Sequence, residues 1–166
     1  MLDRALTQHG KSLVALSEAT PLLVVFLRHA GCTFCREALS DIARSRALIE
    51  RQGTRILLIH MGDGSSLAPL LQKHKLDDLD LIGDPDQSLY RAFGLKRGNV
   101  WQLFGSKVLW RAFGAGVLLR YGIGPVVADS AQMPGVFYLE QSVIVRRFRH
   151  QSAADRPDYA CLSGCR

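Results

Sequence analysis

Cys32 and Cys35 stand two residues apart, with Thr33 and Phe34 between them, just after a short apolar run, Pro21 to Arg28 (PLLVVFLR). A thiol acts as a nucleophile in its thiolate form. A C-x-x-C pair at the start of a helix places the first sulfur among free backbone N–H groups that favour the anion. The second sulfur lies about one turn further on, close enough to resolve a mixed disulfide formed at the first. The spacing therefore predicts a thiol–disulfide exchange site, with Cys32 as an exposed attacking thiolate and Cys35 as its sheltered resolver. Arg28, His29 and Arg36 surround the motif and would lower the Cys32 pKa. For His29 the alternative is a polar residue that only closes the strand.

A C-x-x-C is also half of a zinc site. Cys161 and Cys165 supply two further thiolates, so a zinc-stabilised, non-catalytic binding module is the competing reading. The long separation of the two pairs, and the strand-to-helix context of the first, favour redox chemistry and no metal. Cys161 and Cys165 are spaced i and i+4; they read as ordinary tail thiols or as a secondary pair exchanging with the first. His60 ends a strand, and His9, His74 and His150 follow no pattern.

To hold the pair, the chain needs a buried strand before it and a helix after it. Pro21 to Arg28 suits a strand covered on both faces. From Cys32 to Gln52, Leu39, Ile42, Ala43, Leu48 and Ile49 recur at helical spacing, and Gly53 is a stop. Arg55 to His60 is a second strand, and Ser65 or Ser66 can cap a helix running to about Lys75. Such a βαβ unit implies parallel strands and a right-handed crossover. Leu79 to Ile82 predicts a third strand and Asp86 to Phe93 a helical piece. Gly135 to Leu139 and Val143 to Arg149 flank a turn and predict a hairpin, with a bulge suggested by the phase of Phe148. Asp155 and Pro157 predict the start of a last short helix.

This order is that of an α/β, thioredoxin-like fold: a mixed central sheet, a closing antiparallel hairpin and helices on both faces. The expected organisation is one domain, 1–166, with an extra helical segment at about 96–128. In such a fold the residues entering the hairpin face the active site, where a cis proline stands. Met133 and Pro134 join Thr33 and Phe34 as candidate substrate-binding residues, although sequence does not determine the isomer of an X-Pro bond.

The 166 residues are 48% hydrophobic with a net charge of +6, enough to bury an ordinary core without disulfide staples. No secretory signal is visible, so a cytoplasmic, reducing location is expected. The charge is uneven. Between Gln87 and Ala128 there is no Asp or Glu, but there are Arg91, Lys96, Arg97, Lys107, Arg111 and Arg120, and the rest of the chain is neutral. The favoured reading is a solvated basic face; contact with an anionic partner or a membrane surface is the lesser one, and no nucleic-acid partner is expected. Asn99 to Arg120 is apolar around much of its circumference (Trp101, Phe104, Val108, Leu109, Phe113, Val117), yet too interrupted by charges and glycines to span a bilayer.

The stretch Phe26-Leu27-Arg28-His29-Ala30-Gly31-Cys32-Thr33-Phe34-Cys35-Arg36-Glu37 resembles the active-site segment of peroxiredoxin-like proteins of the AhpC/TSA antioxidant class that carry C-x-x-C. Ile82-Gly83-Asp84-Pro85 with Leu89-Tyr90 and Phe93-Gly94-Leu95 resembles the segment after that family's third strand. Gln132-Met133-Pro134-Gly135-Val136-Phe137 is similar to its entry into the final hairpin, and Ala154 to Tyr159 to the ending of bacterial members. The resemblance runs from about Leu13 to Tyr159. It implies a thioredoxin fold and a thiol-dependent antioxidant or disulfide-reductase activity without a bound cofactor. The substrate would be a disulfide or a hydroperoxide, and the reductant a thioredoxin or glutathione system. Thiol peroxidase activity through a sulfenic acid is the alternative. Typical peroxiredoxins present Pro-x-x-x-Thr-x-x-Cys. Here His29 takes the threonine place if Cys32 attacks, Cys32 itself takes it if Cys35 attacks, and neither alignment supplies the proline.

Overall fold

The computed structural model describes residues 5–62, 64–114, 117–122, 129 and 131–164. Its elements, in chain order, are α1 (Leu13–Ala19), β1 (Leu22–Phe26), α2 (Thr33–Arg51), β2 (Arg55–His60), α3 (Ala68–His74), β3 (Asp80–Gly83) and α4 (Ser88–Ala92). Then come α5 (Val100–Phe104), α6 (Ser106–Leu109), a π-helical turn (Trp110–Gly114), α7 (Val117–Tyr121), β4 (Gly135–Glu140), β5 (Val143–Arg149) and α8 (Tyr159–Leu162).

The strands form one five-stranded sheet in the order β3-β2-β1-β4-β5. The three strands of the βαβ half are parallel, and β4 and β5 add the antiparallel pair. The thioredoxin-like α/β architecture expected from the element order is the one observed. The hairpin carries its bulge at Tyr138–Leu139, where the register shifts.

Alternation along β1 divides its side chains between two cores. Leu23, Val25 and Leu27 point to the face covered by α2, α3 and α8, where they meet Leu39, Ile42, Ile49, Leu71 and Tyr159. Leu22, Val24 and Phe26 point to the face covered by α1 and α4, with Leu13, Leu16, Tyr90 and Phe93. Each such side chain, fully buried, stabilises the fold by about 1.5–3 kcal/mol relative to exposure.

Several local expectations are corrected. The helix α1 has no forecast in the periodicity; it is two turns long, and the Ser12 hydroxyl caps it by accepting the Ala15 N–H at 3.1 Å. In α3 the cap position belongs to Leu67, not to Ser65 or Ser66, because Pro69 stands in the first turn, where its missing N–H has no partner to lose. The last helix starts beyond Pro157, with Asp158 as its cap. Asp155 instead closes the preceding turn, accepting the N–H groups of Gln151 at 2.6 Å and Ser152 at 2.9 Å. The extra helical segment is a chain of short pieces, broken at Gly105 and by the π turn. Residues 115–116 and 123–128, within its expected span, lie outside the described residues.

Candidate active site

β1 sets the site. Its end is extended by the Leu27 N–H, which donates to the Ile59 carbonyl at 2.8 Å. From behind, the buried Tyr90 hydroxyl donates to the carbonyls of Leu27 and Ile59, tying β1 to β2 immediately before the loop. The chain then turns through His29–Gly31 and enters α2, with Cys32 in the N-cap position in extended conformation.

Both thiols are free. Three groups converge on the Cys32 sulfur: the Cys35 thiol, the Arg28 guanidinium at 3.4 Å and the first backbone N–H groups of α2. The hydrogen bond from Cys35 contributes most. With Arg28 and the N–H groups of Cys35 and Phe34, it outweighs burial and lowers the Cys32 pKa to about 6. Cys35 is pushed the other way, by that same hydrogen bond first, then by burial and by the charge on Cys32. Its sulfur accepts the Arg28 backbone N–H at 3.2 Å. The pair is thus polarised: one sulfur is ionised near neutrality and the other holds its proton.

Cys32 is only 7% exposed, so the expected open thiolate is not what the fold presents. It faces a narrow pocket of about 430 Å³, counting the space at its open mouth, walled by Arg28, Phe34, Pro134, His150, Arg156 and Tyr159 among others. Of the four residues expected to bind substrate, Phe34 and Pro134 line this pocket. Thr33 does not, because its hydroxyl donates to the Gly122 carbonyl at 2.7 Å. Met133 is buried with its sulfur against Gly98. No peptide bond among the described residues is cis, the Met133–Pro134 bond included.

Among the basic groups expected to tune Cys32, Arg28 is the one whose guanidinium reaches its sulfur among the described contacts. Burial foremost, and then the Arg28 charge, lower the His29 pKa to about 4, so its ring is neutral at pH 7 and supplies no cation. Arg36 is spent on backbone carbonyls, Ala30 at 3.0 Å and Tyr121 at 3.1 Å, which ties the loop before α2 to α7.

The pocket's charged wall has no signature in the local pattern. Glu37 receives Arg111 through both carboxylate oxygens, at 2.6 and 2.8 Å, and Arg156 reaches Asp41 at 2.6 Å. Arg111 also lies over the Phe34 ring, 5.8 Å from its centroid. His150 joins the lining with Nδ1 unpartnered; burial above all holds its pKa at about 4. Gln132 is buried and donates to the carbonyls of Leu95, Lys96 and Met133, which fixes the approach to Pro134. The only advance signal for these residues was the acid-free stretch holding Arg111.

That stretch is not simply a solvated face. Arg111 pairs with Glu37, Lys107 with Asp155 at 2.5 Å and Arg97 with Asp129 at 3.0 Å, so half of its cations meet acids from elsewhere in the chain. Cys161 is exposed on α8, its N–H bound to Asp158; Cys165 lies outside the described residues. Among the described residues no three His, Cys, Asp or Glu side chains stand close enough to share a metal ion, so Cys161 does not complete a site with Cys32 and Cys35.

Residues 41–152 match a family model described as "AhpC/TSA antioxidant enzyme". The match begins within α2, beyond the two cysteines. Human "Peroxiredoxin-like 2C" is 26% identical over 86 residues, which cover 51% of this chain and 38% of that protein, so the alignment spans about two fifths of the relative's length. Among solved structures, peroxiredoxin Q of Xanthomonas campestris superposes with a TM-score of 0.59 at 17% identity, covering 87% of this chain and 78% of its own. Peroxidoxin BcpB of Mycobacterium tuberculosis superposes with a TM-score of 0.62 at 14% identity, covering 95% and 84%. A secreted disulfide oxidoreductase of M. tuberculosis, described as homologous to E. coli DsbE, gives 0.55 at 14%, covering 96% and 90%.

Proposed function

The chain belongs to the AhpC/TSA antioxidant enzyme family, and on that premise we propose that it is a thiol-dependent oxidoreductase cycling Cys32 and Cys35 between dithiol and disulfide. The observation that carries this reading is the opposed pKa shifts of two adjacent sulfurs, with Arg28 on the ionised one. The Cys32 thiolate attacks a substrate disulfide, forming a mixed disulfide and releasing one substrate thiolate. Cys35, freed of its proton, then attacks the Cys32 sulfur, closes the Cys32–Cys35 disulfide and releases the second. Two electrons leave the protein, and an external thiol reductant of the thioredoxin or glutathione type restores them. A reducing compartment, the cytoplasm, suits that return, and antioxidant defence suits the family. The pocket walls at Phe34 and Pro134 flank the entering substrate.

Hydroperoxide reduction is the second reading, favoured by Arg28. A cation at the attacking sulfur can stabilise the alkoxide that leaves when the thiolate takes an oxygen and becomes sulfenic acid. Cys35 then condenses with that acid and releases water. His29, neutral and in the place of the family threonine, contributes no charge to that step.

Cys32→Ser is expected to abolish both insulin-type disulfide reduction and coupled peroxide turnover, and Cys35→Ser to trap a mixed disulfide visible by mass spectrometry. Full activity in Cys32→Ser would end the proposal. In reduced protein, alkylation of Cys32 should rise with pH around a midpoint near 6, not near 9.0. Over that window the unfolded chain holds a proton the folded site has lost, so this thiolate adds stability as pH rises from about 6 to 9 and loses it as pH falls.

A further inference from the structure

We propose that the face formed by α5, α6 and the π turn seats the protein on an anionic lipid surface. Every exposed Trp or Phe among the described residues lies here: Trp101 (81% exposed), Phe104, Trp110 (69%) and Phe113, with exposed Leu109 between them. A patch of this kind marks an interaction surface, since monomeric proteins rarely leave so many large side chains together in water.

The segment cannot turn these residues inward, because its other side is already bound to the body. Arg111 holds Glu37 and Lys107 holds Asp155. The aromatic side is therefore a fixed outward surface. Its helices are short, and no helix among the described residues is long and apolar enough to cross a membrane, so the association is peripheral.

Charge selects the occupant. No acid occurs between Gln87 and Ala128; Lys107 and Arg111, within the face's own segment, are paired with Asp155 and Glu37, whereas Lys96, which precedes it, and Arg120, which follows it in α7, have no ion pair among those formed by the described residues. Tryptophan on a short stretch with unpaired basic residues to either side in the chain is a combination that settles at the headgroup level of a bilayer. A second copy fits less well, because a two-fold contact would set this acid-free segment against itself. An anionic headgroup layer supplies the missing counter-charge. The face adjoins the thiol pocket, since Arg111 lies over Phe34.

Trp101 and Trp110 are the chain's two tryptophans, so their fluorescence reads this face directly. The full chain is titrated with vesicles of phosphatidylcholine containing phosphatidylglycerol, and with phosphatidylcholine alone, at low and high salt. A blue shift and co-sedimentation with the anionic vesicles, both reduced by salt, are expected. Trp101→Ser/Trp110→Ser should bind those vesicles about tenfold more weakly by co-sedimentation while keeping its circular dichroism. Three results would overturn the proposal: no shift and no co-sedimentation at low salt, equal binding to neutral vesicles, or a lipid-free dimer in sedimentation velocity whose tryptophans are already blue-shifted.

Discussion

From Leu22 to Leu27 every side chain is buried, whereas from Trp101 to Phe113 the four large aromatic side chains face solvent. β1 is wholly apolar and the later stretch mostly so, and they differ further in what surrounds them. β1 lies in the middle of the sheet, with helices on both faces, so both phases of its alternation find a core. On the side that meets the protein the later segment buries Val108 and is otherwise held by ion pairs and hydrogen bonds. Apolar residues make a core only where the topology provides two walls. The part of the chain that holds the thiols is built for rigidity, and the part that adjoins them is built as a surface.

The contrast can be broken by substitution. Leu39→Ala, on the buried face of α2, should cost about 2–5 kcal/mol in urea denaturation, the range for a leucine removed from a packed core. A loss below about 1 kcal/mol would mean that the face under the thiols is loosely packed. Arg111→Met tests the seam between the two regions. It leaves buried Glu37 without the guanidinium nitrogen that both its oxygens share, so a loss of about 2 kcal/mol is expected in the same assay, reduced from the fully buried case because Arg156 stands 3.8 Å away. Trp101→Ser should change stability by less than about 0.5 kcal/mol, as a surface substitution does. If it destabilises as much as Leu39→Ala, the aromatic face is part of a core and the comparison fails.

The same contrast decides what could be read in advance. The βαβ unit, the placement of the C-x-x-C at a helix start and the closing hairpin are local patterns, and each shows in a few neighbouring residues. Glu37–Arg111 and Asp41–Arg156 join residues 74 and 115 positions apart, and nothing in either neighbourhood announces the other. The same holds for the turning of Thr33 toward α7 and for His150 entering the pocket. Asp155 and Asp158 are both sound helix caps by type; Pro157 and the demand of the preceding turn for Asp155 choose between them. The burial of Cys32 was likewise out of reach, because its pocket is closed by Pro134, His150 and Tyr159 from the far end of the chain.

The backbone N–H of Arg28 points at the Cys35 sulfur, and that sulfur is a thiol in one half of the proposed cycle and part of a disulfide in the other. The amide therefore sits in two different electronic surroundings as the protein turns over. In a proton–nitrogen correlation spectrum it would give two peaks, one for each oxidation state, and their ratio at a set glutathione poise would read the potential of the pair without any added dye. Because Arg28 is buried just beyond the end of β1, its amide is expected to exchange slowly with water and should remain visible across the pH range in which Cys32 ionises.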